Sequence, residues 1–158
     1  MLLGKKRKLG RKVEDITVGE KLKLTEKIED KDLLLYLGLT NDGNPLYIQH
    51  DFASTTSFEK PVVPNIMLTG IVTSAVSKYM PGPGSYICEQ HLVFKKPVYH
   101  YATIDFLLEV ADVDVRSNQV TIRVQATDDK GELCMEGTVL AQPPKTVSRL
   151  TTQAMENF

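Results

Sequence analysis

The sequence has 158 residues, of which 42% are hydrophobic and 25% charged, with a formal net charge of −1. That length suits one domain with its own core, and the composition is typical of a globular protein rather than a disordered or fibrous one. No run approaches the roughly 18 apolar residues that cross a bilayer, and charge soon follows the opening Met-Leu-Leu. We therefore expect neither a membrane span nor a secretory leader.

The first twelve residues are strongly basic. They hold six of the 19 Lys and Arg residues and no acid, which leaves 13 basic against 20 acidic side chains in the rest. A basic arm can contact nucleic acid, an anionic membrane or a phosphate-rich ligand, but the acidic body argues against a nucleic-acid-binding domain. We interpret residues 1–12 as a flexible, solvated arm, residues 13–145 as the folded domain and residues 146–158 as a tail.

The chain after the arm reads as a strand followed by a helix. Leu22 and Leu24 alternate with polar residues, which predicts a strand that ends near Ile28. The acidic run at 29–32 suits the positive end of a helix, and the apolar residues that follow extend this helix to about Gly38.

A cluster of turn formers comes next, with the sequence Thr-Asn-Asp-Gly-Asn-Pro at residues 40–45. Pro45 suits the first position of a short helix that carries Tyr47. Residues 50–58 predict another short helix and a loop. The prolines within residues 60–64 then prevent helix formation until the last of them has passed.

The segment Asn65–Met80 is helix-compatible and almost uncharged, with Lys78 as its single ionised side chain. The Pro-Gly-Pro-Gly run at 81–84 ends it. A helix that is apolar on nearly all sides must be buried, and this one is too short to span a bilayer. We therefore expect other parts of the domain to wrap around it.

The second half of the chain supplies candidates for that wrapping. Its strand-like segments alternate apolar and polar residues, and turn formers at 116–118 and 128–131 join three of them as hairpins. These segments are Ser85–Phe94, Thr103–Val113, Gln119–Thr127 and Leu133–Ala141. A helical first half and consecutive antiparallel strands give an α+β class, and a long buried helix inside one antiparallel sheet resembles the hotdog fold.

Two cysteines, Cys88 and Cys134, are too few for a disulfide framework and form no C-x-x-C pair. Both lie in apolar strand-like runs, so we interpret them as packed side chains rather than nucleophiles. Unpaired thiols favour a cytoplasmic location. His91 and His100 have no partners at a metal-ligand spacing, so we expect no metal site.

Three segments, in order and spacing, resemble the MaoC-like hydratases. That family has a Ser/Thr-Gly-Asp-x-Asn-Pro-x-His run, an apolar-Phe-Ala-x-x-Thr-x-Phe segment and a Pro-rich lead into the central helix. The corresponding segments here are Thr40–Tyr47, Phe52–Phe58 and Pro61–Pro64. The resemblance extends over roughly residues 30–100, and the strand pattern agrees with it to about residue 142.

The resemblance implies reversible addition of water to a trans-2-enoyl thioester carried by CoA or acyl carrier protein, without a further cofactor. The Asp and His of the motif would hold and activate the water, and the Asp is Asp42. The His is replaced by Tyr47, and the Gly before the Asp by Asn41. A phenol with an ordinary pKa of about 10 is a poor base, and loss of a positioned proton acceptor commonly costs on the order of 10²–10⁴ in rate.

The resemblance places Asn65 at the start of the central helix, where a backbone amide would polarise the thioester oxygen. It also implies substrate contacts for Asn44 and Pro64, while Lys95 and Lys96 could meet the phosphates of CoA. Each position has a simpler alternative. Asp42 could only bond turn amides, Asn65 could only cap the helix, and the two lysines could be a charged strand end.

Two functions therefore stay open: an (R)-specific enoyl-CoA hydratase or 3-hydroxyacyl thioester dehydratase, and a non-catalytic acyl-thioester binding module. Tyr47 motivates the second. His50, three residues further on, is a weak substitute for the missing imidazole. Hotdog thioesterases and bacterial acyl-carrier dehydratases generally take an acid from the central helix, and Asn65–Met80 has none. Family members pair their sheets, so we expect a homodimer with tunnels near the subunit interface.

Overall fold

The first structured elements lie close to where the sequence predicts them. A computed structural model describes residues 9–145. Its helices and strands, after a short 3-10 turn at Val13–Asp15, are β1 (Lys21–Lys27), α1 (Asp30–Thr40), α2 (Pro45–Ile48), α3 (His50–Ser54), α4 (Asn65–Lys78), β2 (Tyr86–Phe94), β3 (Thr103–Asp114), β4 (Gln119–Thr127) and β5 (Leu133–Gln142). The predicted strands and the central helix are confirmed to within about two residues at each end.

The five strands form one antiparallel sheet in the order β1-β3-β4-β5-β2. The two predicted hairpins join β3 to β4 and β4 to β5. Every second residue is buried along β4 and along β3 as far as Val110, as the alternation predicts. These fully buried positions include Ile104, Phe106, Leu108 and Val110 on β3, and Val120, Ile122, Val124 and Ala126 on β4.

Helix α4 lies against this sheet through the stripe formed by Leu68, Val72, Ala75 and Val76, all of which are buried. The prediction of a helix on an antiparallel sheet is therefore confirmed. The expectation that α4 is covered on nearly all sides is wrong for the opposite face, where Ile66 is 55% exposed. A single sheet covers only one side of a helix, and mean apolarity does not say which side that is.

Both edges of the sheet are formed by strands with one neighbour each, β1 and β2. On β2, Tyr86 and Val93 are exposed. The contact between β2 and β5 is tight at Gly137, where an added Cβ would lie 1.8 Å from the carbonyl oxygen of His91. Glycine there allows the edge strand to approach its neighbour closely.

The last part of the predicted arm is fixed to the body of the domain. The N–H of Gly10 donates to the carbonyl of Pro83 at 2.7 Å, and the N–H of Arg11 donates to the carbonyl of Pro81 at 3.1 Å. The Arg11 guanidinium also pairs with Glu20 at 2.6 Å, which lowers the pKa of that carboxyl. The end of the predicted arm thus contacts the body of the domain at Gly10 and Arg11, while residues 1–8 and the tail at 146–158 lie outside the described residues.

Within residues 9–145, no helix has both the length and the apolarity needed to cross a bilayer.

Candidate active site

The turn that carries Asp42 begins where α1 ends. Asn41 has a φ of +53° and forms the left-handed C-cap of α1, with its N–H donating to the carbonyl of Leu37. Glycine adopts this conformation most readily and asparagine is one of the few side chains that tolerates it. The backbone thus explains why Asn41 can stand where the family motif has glycine.

The Asp42 carboxylate is held by one donor on each oxygen. The Tyr36 hydroxyl donates to Oδ2 at 2.7 Å, and the N–H of Asn44 donates to Oδ1 at 3.0 Å. Asp42 is half-buried. A carboxylate has capacity for about four hydrogen bonds, so Asp42 can still accept bonds from water or a ligand.

Helix α2 carries Tyr47 and is tied to the segment that leads into α4. Asn44 caps α2 with its side chain, which accepts the N–H of Leu46. The carbonyl of Leu46 in turn accepts the N–H of Val62 at 3.1 Å, and the N–H of Val63 donates to the carbonyl of Val98. These backbone bonds fix half-buried Tyr47 beside the start of α4.

Asn65 is the first residue of α4, and buried Pro64 occupies the N-cap position. The alternative in which Asn65 caps the helix is therefore wrong. Its N–H belongs to the first turn, whose amides find no acceptor inside the helix. Together with the helix dipole, such amides favour a ligand oxygen that carries negative charge.

A recess of about 270 Å³ opens at this end of α4, and we call it the polar cavity. It brings together four of the positions predicted from the sequence. The lining residues are Leu46, Tyr47, Phe58, Val62, Val63, Asn65, Phe94, Lys95, Lys96 and Pro97. Asp42, Asn44 and Pro64 are not among them: Asn44 and Pro64 cap the two helices that reach the cavity, and Asp42 lies in the turn before α2.

The family described as MaoC like domain matches residues 12–130. The chain belongs to the MaoC-like family. It is 30% identical over 131 residues to the (R)-specific enoyl-CoA hydratase of Rhodospirillum rubrum, covering 83% of this chain and 90% of that one. It is 27% identical to the 3-hydroxybutyryl-CoA dehydratase of Methylorubrum extorquens, covering 84% and 83% of the two chains.

Among solved structures, the (R)-hydratase from A. caviae superimposes with a TM-score of 0.79 at 27% identity, covering 83% of this chain and 99% of that one. The fold of this MaoC-like domain is therefore the hotdog arrangement that the sequence resembled, in the α+β class.

Lys95 and Lys96 of this MaoC-like domain are already paired with acids. Lys95 lies 3.0 Å from Glu136, and Lys96 contacts both Asp128 and Glu132 in the hairpin between β4 and β5. The bond from Lys96 lowers the pKa of Asp128, and the two carboxylates raise the pKa of Lys96. The charged-strand-end interpretation describes these contacts, and a role with CoA phosphates stays a prediction.

A second recess, of about 390 Å³, runs between α1, β1 and α4, and we call it the apolar groove. The sequence did not predict it. Its lining combines apolar and charged residues and consists of Leu24, Glu26, Lys27, Ile28, Asp32, Leu35, Met67, Gly70, Ile71, Ser74, Ala75, Lys78 and Tyr79. Helix α4 thus contributes to both recesses.

The remaining candidate side chains lie apart from the polar cavity lining. His50 is exposed at the start of α3, and His91 lies near Glu89 on β2. Both described cysteines are free thiols; Cys134 is buried as predicted, but the interpretation as a packed side chain is wrong for Cys88, which is exposed. Among residues 9–145, no group of three or more His, Cys, Asp and Glu side chains is arranged to hold a metal ion.

Proposed function

We propose that this MaoC-like domain is an (R)-specific enoyl-CoA hydratase or 3-hydroxyacyl thioester dehydratase. The observation that carries the proposal is the convergence of Tyr47 and the N-terminus of α4 on the polar cavity, with Asp42 in the turn that leads into the helix of Tyr47. The relatives named above are hydratases and dehydratases of acyl-CoA thioesters. The chain covers 90% and 83% of the two curated relatives, so we propose for it the reaction type that their names share, which is that of a hydro-lyase.

In the proposed reaction, Asp42 accepts a proton from water while the water oxygen bonds to Cβ of the enoyl group. The proton is then delivered to Cα, which regenerates the carboxylate and balances the atoms. Charge builds up on the thioester oxygen in between, and the free amides at Asn65 would stabilise it. Tyr47 is suited to donate a hydrogen bond to the water or the thioester, which a neutral phenol does well.

The groove suggests where an acyl chain would lie. Its lining includes a run of apolar side chains, and residues of α4 line both the groove and the polar cavity. We therefore propose that the thioester lies at the polar cavity and the acyl chain in the apolar groove. The rest of the substrate would be the carrier of the thioester, either CoA or acyl carrier protein. We propose that the reaction needs no cofactor.

The first experiment follows loss of the enoyl-thioester absorbance with crotonyl-CoA and longer trans-2-enoyl-CoAs. Asp42→Asn should lower kcat by on the order of 10²–10⁴-fold, because a carboxamide cannot accept the proton of water. Asp30→Asn is the matched control, since Asp30 also accepts a tyrosine hydroxyl but lies at the other end of α1. Equal activity of wild type and Asp42→Asn would contradict the mechanism.

Tyr47→His separates the two candidate functions. In a hydratase slowed by the tyrosine, the variant should turn over about 10-fold faster or more, because a neutral imidazole accepts protons near pH 7. A non-catalytic binding module predicts tight thioester binding without turnover in both proteins. Calorimetry with a saturated acyl-CoA provides the binding measurement.

We also propose a homodimer that forms through the free edge of β2. The unpaired backbone of an edge strand can add a neighbouring strand, and Val93 on β2 is 54% exposed. Val93→Lys should shift the mass measured by light scattering toward the monomer. Val115→Lys, at an equally exposed valine in the β3–β4 turn, should leave the mass unchanged.

The two free thiols support a cytoplasmic location for this assembly.

A further inference from the structure

Tyr36 lies in the last two turns of α1, six residues before Asp42, and its hydroxyl is bonded to the Asp42 carboxylate. The chain returns to this point because α1 ends at left-handed Asn41. Thr40 stabilises this turn, because its hydroxyl donates to the carbonyl of Tyr36 and accepts the N–H of Asp42. The helix and the turn therefore hold the phenol and the carboxylate together.

The surroundings of the phenol support the same pairing. The hydrogen bond that the phenol donates to the Asp42 carboxylate raises the pKa of Tyr36, and desolvation adds to the rise, while Thr40 acts in the opposite direction. Tyr36 is consequently a protonated donor at neutral pH.

We propose that Tyr36 is the positioning residue of the Asp42 carboxylate. Its hydroxyl fixes Oδ2 while the N–H of Asn44 fixes Oδ1, so the carboxylate has one orientation and keeps free lone pairs for the proton of the water. This inference rests on the proposed hydratase function. It assigns the orienting contact to a helix residue outside the Thr40–Tyr47 motif, and Tyr47 is then left to contact the water or thioester.

Tyr36→Phe removes the hydroxyl and keeps the ring. Because hydrogen bonds to charged groups are among the stronger ones, the variant should lose about 10- to 100-fold in kcat with crotonyl-CoA. KM should change less than about twofold, since binding contacts made equally in the ground state are retained. A rise in KM at unchanged kcat would overturn the proposal.

Tyr101→Phe is the matched control, because the Tyr101 hydroxyl donates to Asp30 at the opposite end of α1. It makes the same chemical change to the same kind of pair and should retain wild-type kcat. A double variant adds the second test: Tyr36→Phe should cost nothing more in an Asp42→Asn background. An equal loss in Tyr101→Phe, or a fully additive double variant, would overturn the role of Tyr36.

Alkaline titration of phenolate absorbance tests the pair without any turnover. The difference between wild type and Tyr36→Phe isolates one phenol, which should titrate above the ordinary tyrosine range. Asp42→Asn should bring that titration back toward the ordinary range. If Tyr36 titrates above the ordinary range but the wild-type protein has no hydratase activity, the proposed function is wrong, and so is a catalytic role for the Tyr36–Asp42 pair. An ordinary Tyr36 titration in an active enzyme would refute the positioning role alone.

Discussion

The polar cavity and the apolar groove both use helix α4, but they present different chemistry. The cavity collects Tyr47, Asn65 and the two lysines at the N-terminus of the helix, where amides lack acceptors within the helix. The groove follows the uncovered flank of α4 toward its C-terminus and is lined by apolar side chains together with charged ones such as Glu26, Asp32 and Lys78. The cavity offers hydrogen-bond donors to a developing negative charge, whereas the groove offers an apolar surface that can select a ligand by its length.

Because the two recesses differ in chemistry, substitutions in each of them should change a different kinetic property. Changes around the cavity should alter the chemical step or the binding of the carrier. Changes in the groove should alter the preference for acyl chain length while leaving short substrates unaffected. The substitutions below test that division, beginning with the largest expected effect.

Gly70 provides the sharpest test of the groove. A Cβ at Gly70 would meet no atom within 4 Å, so the position accepts a side chain, and Gly70→Leu places a bulky group in the groove. We expect kcat/KM for trans-2-octenoyl-CoA to fall on the order of 10- to 100-fold, because hydrophobic pockets discriminate chain length by about that factor. The kcat/KM for crotonyl-CoA should stay within about twofold of the wild-type value, because its short acyl chain does not extend along the groove.

Gly38→Leu is the control for this change. Gly38 also lies in a helix with open space around its added Cβ, but it does not line the groove. The control should show no chain-length effect. If Gly70→Leu lowered kcat/KM equally for both substrates, the groove would not be the acyl site, and the division of roles between the two recesses would be wrong.

The sequence predicted the parts of this arrangement that depend on local pattern. The alternation along β3 and β4 and the Pro-Gly run after α4 are local, so the sheet and the helix ends followed from them. The prediction for α4 failed on one face, because an apolar composition does not reveal which side a sheet covers. The groove on that face was therefore missed.

Contacts between distant residues were missed for a related reason. Lys96 meets Asp128 only because β5 lies between β2 and β4 in the sheet, which joins residues 32 positions apart. The bond between Tyr36 and Asp42 depends on the left-handed residue Asn41, where the departure from the motif glycine was visible but its geometry was not. The polar cavity, in contrast, was partly predicted: the family resemblance related Tyr47 to Asn65, and the lysines were separately predicted to meet a carrier phosphate.

Lys95 tests whether the cavity also binds the carrier. If its ammonium leaves Glu136 to meet a phosphate of CoA, Lys95→Met should raise KM for crotonyl-CoA by about two- to fivefold, as expected for an exposed ionic contact. KM for the crotonyl thioester of N-acetylcysteamine, which has no phosphate, should not change. Lys23→Met, on the opposite edge strand, is the control. An equal effect on both thioesters would exclude the phosphate contact.

Lys96 gives the smallest expected effect, and it concerns stability rather than turnover. Its partner Asp128 has a lowered pKa in the folded state because Lys96 donates to it, so the unfolded state binds more protons in acid. The pKa of Lys96 is raised by the same contact and by Glu132, so the unfolded state loses its proton first in alkali. The pairing therefore contributes fully only between about pH 5 and pH 9.

Lys96→Met should accordingly lower the thermal midpoint slightly at pH 7, and the difference from wild type should shrink below about pH 4 and above about pH 11. Lys130→Met is the control, because Lys130 lies in the same hairpin turn and takes part in no ion pair with the described residues. A pH-independent difference would mean that the Lys96 side chain stabilises the hairpin through its packed methylenes. The polar cavity would then be bordered by a structural contact rather than by a charge available to a ligand.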